Sequence, residues 1–166
     1  MKILILGHGR HGKDTVAEIL RDMIGLTFQS SSWAACEIAV FPWLSQIYGY
    51  ETVQECYDDR AAHRMQWKSL ITDYNTPDKS RLCRQILEKH DCYVGMRCPL
   101  EYAASRPLFD VVLWVDAFDR HPADPSMQIL YNDEMTLVPN NGTVDELRDT
   151  LAMIVAWWRG EGRIPC

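Results

Sequence analysis

Residues 2–15, Lys-Ile-Leu-Ile-Leu-Gly-His-Gly-Arg-His-Gly-Lys-Asp-Thr, run a short apolar strand into a glycine-rich turn and then into a lysine. That order is the one a phosphate-binding loop requires, and it asks for a fold in which a strand delivers a turn to a helix N-terminus. From Gly7 the string reads G-x-x-x-x-G-K, with Asp14 where Ser or Thr usually follows and Thr15 one place later. Glycines let successive backbone N–H groups converge on phosphate oxygens, the helix N-terminus adds positive potential, and the lysine reaches the terminal phosphates. His8, Gly9, Arg10, His11, Gly12, Lys13, Asp14 and Thr15 are therefore the candidate nucleotide-binding residues.

The same stretch, Gly7 to Gly12, also matches G-x-G-x-x-G, the dinucleotide fingerprint. A dinucleotide site wants an acidic residue about 20 positions on, at the end of the second strand. Here Leu26-Thr27-Phe28-Gln29 ends in Ser30-Ser31-Ser32, without a carboxylate. Serines there would suit a phosphorylated ribose, but Lys13 has no role in that scheme, so the phosphate-loop reading is preferred.

The 166 residues, 47% apolar and 24% charged, fit one globular domain with a sizeable core. A net charge of −6 argues against broad contact with nucleic acid or an anionic membrane, which are normally met by a basic face. A phosphate ligand must then be drawn in by a local cluster of cations, and 12 of the 17 basic residues are arginine, which suits bidentate grips on phosphate. The N-terminal apolar run is too short for a signal peptide, and none approaches the roughly 20 residues of a membrane span, so a cytoplasmic protein is expected. Cys36, Cys56, Cys83, Cys92, Cys98 and Cys166 include no C-x-x-C pair and are expected to be reduced and mostly buried.

Strand and helix patterns alternate without repeats or linkers, which points to an α/β fold around a mainly parallel five-stranded sheet with helices on both faces. Strands are expected at about 26–29, 92–96, 111–115 and 136–138, in addition to the first. Residues from about 33 to 75 read as a helical insertion broken near Pro42 and Gly49. A further helix is expected to start at Thr76-Pro77, and Thr143 with Glu146 forms a capping box for the last helix, whose core stripe is Val144, Leu147, Leu151, Ile154, Val155 and Trp158. Ligands of open parallel sheets gather beyond the carboxyl ends of strands, where Arg97 and Asp116 fall.

The Gly-Lys-Asp-Thr loop, Gly95-Met96-Arg97 followed by Glu101, Trp114-Val115-Asp116 leading to Arg120, and Asn140-Asn141-Gly142 together resemble the deoxynucleoside monophosphate kinases of tailed bacteriophages. The resemblance covers nearly the whole chain as an ordered set. It implies a P-loop kinase-like three-layer fold in one domain, 1–166, with the insertion at about 33–75 binding the acceptor. It implies transfer of the terminal phosphoryl group of ATP to a deoxynucleoside monophosphate with Mg2+, in the host cytoplasm if the protein is of phage origin. By the same resemblance, residues 117–126 form a reduced lid whose Arg120 closes on the phosphates, and Asn141 lies near the donor adenine.

Phosphoryl transfer needs cations converging from several segments. Lys13, Arg97 and Arg120 are the candidate catalytic residues. Arg60, Arg64 and Lys68 are spaced by four on an expected helix beside Trp67, so one face could present cations to the acceptor phosphate and a ring to its base; the alternative is a solvated stripe paired with Asp58 and Asp59. Ser31, Trp33 and Glu101 complete the acceptor set, Glu101 as a partner for Arg97 or for the sugar or base, and one of Ser30–Ser32 is expected to cap a helix. His8 and His11 are expected to shape the loop or to face solvent. Asp14 is the candidate Mg2+ ligand, a hard oxygen donor, with Asp116 as either a second ligand or a strand-end cap. Two other classes stay open: a kinase for another small acceptor such as dephospho-coenzyme A, and a non-catalytic nucleotide-binding module. Exposed aromatics could also build a homodimer interface.

Overall fold

The computed structural model describes residues 1–164; Cys166 lies outside the described residues. Strands β1 (Ile3–Gly7), β2 (Phe28–Ser30), β3 (Cys92–Val94), β4 (Val111–Asp116) and β5 (Thr136–Pro139) form one sheet in the order β2-β3-β1-β4-β5. Every neighbouring pair is parallel, with Ile5 registered against Val94 on one side and Leu113 on the other. Helices on both faces make this a P-loop-like three-layer α/β fold.

Because side chains alternate along a strand, β1 feeds two cores. Ile3 and Ile5 pack with Val94, Leu113 and Val115 beneath Val16 and Leu20 of α1 (Lys13–Ile24) and Leu147, Leu151, Val155 and Trp158 of α8 (Val144–Gly160). Leu4 and Leu6 face the other way, with Tyr93, Val112 and Trp114, onto Ala34 and Ala35 of α2 (Ser31–Ala35) and Leu82 and Ile86 of α6 (Arg81–Lys89). Helix α8 starts on the expected capping box: Thr143 Oγ1 accepts from the Glu146 N–H at 3.2 Å and Glu146 Oε2 from the Thr143 N–H at 2.7 Å. Val144, the first residue of α8, leaves the expected stripe and is exposed.

The insertion carries a third apolar cluster of Cys36, Val40, Leu44, Cys56 and Trp67. Its elements are α2, a π-type turn at Cys36–Val40, α3 (Phe41–Tyr48), α4 (Val53–Asp58) and α5 (Arg64–Tyr74). The expected break near Pro42 falls where the π-type turn ends at Val40 and α3 starts at Phe41, with Pro42 in the first turn of α3, a position that tolerates its missing N–H. Gly49 does end α3, in a left-handed conformation. Arg60 lies in a separate 3-10 turn, Asp59–Ala61, so it does not share a helix with Arg64 and Lys68.

Helix α6 begins at Arg81, later than the expected Thr76. The Thr76 hydroxyl is drawn back to the Thr72 carbonyl at 2.8 Å, and Asp78 Oδ1 accepts from both the Ser80 N–H and hydroxyl at 2.9 and 2.8 Å. Such local side-chain bonds hold the backbone out of a helix. Helix α7 (Pro99–Ser105) follows β3. No helix among the described residues is long and apolar enough to cross a membrane.

Candidate functional site

The chain leaves β1 towards β2 on one side of the sheet and β4 towards β5 on the other, so its direction reverses between the adjacent β1 and β4. Crevices form at such points beyond the strand carboxyl ends, and the glycine loop fills this one. Each glycine meets a different later segment. A Cβ on Gly7, where φ is +144°, would lie 2.5 Å from the Val115 carbonyl oxygen of β4. One on Gly9 would lie 2.7 Å from Asp124 Oδ2, and one on Gly12, where φ is +87°, would overlap the Asn140 side-chain amide. Arg10 takes a left-handed backbone at φ +66°, a strain of about 1 kcal/mol for a residue with a Cβ.

Lys13 opens α1, and its Nζ bends back to donate to the His8 carbonyl at 2.6 Å. Burial, and then the nearby Arg97, lower its ammonium from the ordinary 10.5, with Asp14 and Asp124 opposing. The two loop histidines shape the loop rather than face solvent. His11 is fully buried. Its Nδ1 accepts from the Ala117 N–H at 3.0 Å, which leaves the ring proton on Nε2 to donate to the His121 carbonyl at 3.3 Å. His8 Nδ1 accepts from the Asp124 N–H at 3.0 Å, and the Phe118 ring lies 5.0 Å from both imidazoles. Residues 117–124 are thereby bonded across the glycine loop.

Arg97, just beyond β3, donates through Nη1 to Asp124 Oδ2 at 2.7 Å and to the Ser126 hydroxyl. Glu101 is not its partner: the carboxylate accepts from Asn75 Nδ2 at 3.0 Å, and the buried Asn75 uses its Oδ1 to accept from the Leu82 N–H at 3.2 Å. Glu101 is committed to joining α7 to the start of α6. Arg120 Nη1 donates to the Gly142 carbonyl at 3.1 Å, and Asn141 Oδ1 accepts from the Asp119 N–H at 3.1 Å. The adjoining Asn140 carries the larger structural load, donating Nδ2 to the His11 carbonyl at 2.9 Å and its N–H to the Asp116 carbonyl at 2.6 Å.

On the β2 side, Ser31 Oγ donates to the Gly95 carbonyl at 3.4 Å. Ser30 precedes α2, but its hydroxyl bonds Ser32 Oγ at 2.9 Å and caps no helix amide, contrary to expectation. Tyr57 organises this wall. Its hydroxyl bonds Ser32 Oγ at 3.0 Å, the Trp33 ring lies 5.1 Å away, and the Arg60 guanidinium stacks 4.2 Å above its ring. Trp67 is buried edge-on to Tyr57 in the third apolar cluster, so its ring is core rather than a face offered beside Arg64 and Lys68, which are exposed. Asp58 and Asp59 do not pair with these cations either: Asp58 accepts from Gln54, and Asp59 from Tyr50 and His63.

Among the described residues no group of three or more potential ligands gathers round a metal position. Asp14 is exposed in the first turn of α1, and Asp116 Oδ1 accepts from the Phe118 N–H at 2.9 Å. Magnesium commonly takes only one or two carboxylates and draws its other ligands from water and phosphate, and this donor set fits that use.

No family model matches the chain, and no curated protein matches it. The fold resembles TT1252 from Thermus thermophilus. That similarity spans 94% of this chain and 96% of the other, at 17% identity and a TM-score of 0.53. A sugar kinase from Janibacter sp. HTCC2649 aligns over 93% of this chain and 94% of its own, at 14% identity and a TM-score of 0.48.

Asp124, Tyr57 and Phe118 were not legible as candidate site residues, and within Asn140-Asn141-Gly142 the expectation settled on Asn141 although Asn140 makes the bond to the glycine loop. Asp124 sits in a polar, proline-punctuated loop, and only the pairing of that loop with Gly9 and Arg97 gives it meaning.

Proposed function

We propose that the protein is an ATP- and Mg2+-dependent phosphotransferase whose acceptor is a deoxynucleoside monophosphate. The observation that carries this reading is the convergence of Lys13 from α1 and Arg97 from the end of β3 at one glycine loop: a Cβ on Gly95, two residues before Arg97, would lie 3.9 Å from Lys13 Cε, and Arg97 is held at 2.7 Å by the Asp124 carboxylate that lies against Gly9. Phosphoryl transfer asks little covalent chemistry of a protein; it asks for two anions held in line and for cations where charge is shared. In this reading the amides of Gly9–Thr15 hold the donor phosphates and Lys13 bridges the outer two. Arg97 meets the group in transit or the acceptor phosphate, Arg120 of the 117–126 segment closes on the phosphates, and Asn141 borders the donor base.

Magnesium, held by phosphate oxygens with Asp14 or Asp116 in support, would neutralise charge on the donor. The acceptor wall is Ser31, Trp33, Tyr57 and Arg60, with Trp33 and Tyr57 available for a base. The burial of Trp67 removes the ring expected to meet the base and favours, as the second reading, a different small acceptor on the same donor site.

ADP release from ATP and Mg2+ is the deciding experiment, run with the four deoxynucleoside monophosphates, their ribose counterparts, dephospho-coenzyme A and no acceptor. Stimulation by a deoxynucleotide is expected. Tight ATP binding with stimulation only by dephospho-coenzyme A selects the second reading, and binding without any stimulation leaves a nucleotide-binding module.

A further inference from the structure

The three cations assigned to phosphate each have an acceptor within the chain. Lys13 and Arg120 donate to neutral carbonyls, of His8 and Gly142, whereas Arg97 donates to a carboxylate. That carboxylate, on Asp124, is fixed from several directions. Its backbone N–H is held by His8 Nδ1 at 3.0 Å, and its Oδ1 accepts from the Ser126 N–H at 2.9 Å and hydroxyl at 2.6 Å. Its Oδ2 faces Gly9 so closely that a Cβ there would come within 2.7 Å. A loop that gathers N–H groups for phosphate thus has an anion fixed against its rim, and that anion binds the same arginine a phosphoryl group would use. Two anions cannot share this position without mutual repulsion.

We propose that Asp124 is a built-in competitor for Arg97, displaced from the guanidinium when a polyphosphate enters the loop, so that it sets the affinity of the site for phosphoryl groups. The inference rests on reading Gly7–Thr15 as a polyphosphate cradle and is independent of the acceptor and of catalysis. Displacement frees Arg97 at the moment a phosphate arrives, and it loosens the tie between the 117–126 segment and the end of β3.

Calorimetric binding of inorganic tripolyphosphate to the full chain tests this in the unmodified protein, Asp124→Asn, Arg97→Gln and the double variant. Asparagine keeps the backbone bond to His8 and can still accept from Ser126. Asp124→Asn is expected to bind about fivefold more tightly or better, the scale of one partly exposed ion pair. In the Arg97→Gln background that gain should shrink to less than about twofold, because the contested group is gone. Unchanged or weaker binding by Asp124→Asn, or an equal gain in both backgrounds, overturns the inference while leaving the cradle intact. Absence of tripolyphosphate binding in all four proteins overturns the cradle and the inference together. Should Asp124→Asn not fold, the Arg97 guanidinium 15N–1H signal of the unmodified protein decides: it should move on saturation with tripolyphosphate, and a stationary signal rejects the exchange.

Discussion

Gly12 and Gly25 both have left-handed backbones, at φ +87° and +69°, but only Gly12 is also confined by a neighbour. Nothing lies within 4 Å of a Cβ at Gly25, so Gly25→Ala should cost only the backbone term, about 1 kcal/mol. Gly12→Ala must in addition displace the Asn140 amide from the His11 carbonyl, and a loss of about 3 kcal/mol is expected from the lost bond and the strain together. Urea unfolding of the two variants checks the difference. Lys13→Met should lower kcat by about 10²–10³ while leaving the unfolding midpoint within a few degrees, as expected for a cation acting on developing charge. Full activity in that variant would remove Lys13 from the mechanism. Asp124 supplies a pH dependence. Desolvation raises its pKa, but hydrogen bonds from Ser126 and the Arg97 charge outweigh it and hold the group at about 2 against the ordinary 3.8. A carboxyl depressed in the folded state stabilises above its unfolded value and loses that contribution as pH falls, here between about 4 and 2. The acid limb of stability against pH should therefore be shallower in Asp124→Asn.

Among elements, those whose signals are local could be read in advance. The β1–loop–α1 unit and the capping box of α8 need only residues within a few positions of one another, and both form as expected. Thr143→Ala should cost about 1 kcal/mol, measurable as a lower urea midpoint with unchanged slope. Elements set by distant partners could not be read in the same way. The break between Arg60 and Arg64 accompanies the capture of Asp59 by Tyr50 at 2.5 Å and His63 at 3.1 Å, and Tyr50 arrives from beyond α3. An (i, i+4) series of cations says nothing of that. Glu101 likewise has a suitable spacing from Arg97, yet it is claimed by Asn75 from the turn that follows α5. The site was legible where the backbone makes it, at Gly7–Thr15, and obscure where side chains from remote loops complete it.

At the scale of the whole molecule, burial sorts the thiols. Cys36, Cys56, Cys83 and Cys92 are buried, and desolvation pushes the Cys36 thiol up to about 12 and the Cys83 thiol up to about 11. Cys98 is only partly covered. In a Cys166→Ser background, an aromatic disulfide reagent should titrate one thiol quickly, abolished by Cys98→Ser, and release the other four only on unfolding. The sheet order has a consequence for how the chain is made. Of the five strands of this sheet, the one made first, β1, is the central one, and it pairs only with β3 and β4, while β2 pairs only with β3. No strand of the growing chain has a partner until Cys92–Val94 has emerged, which at about 5–20 residues per second leaves Ile3–Leu6 waiting for several seconds. For that interval the most apolar segment of the future core is an unpaired edge, and the nascent protein is a natural client for a chaperone at the tunnel exit.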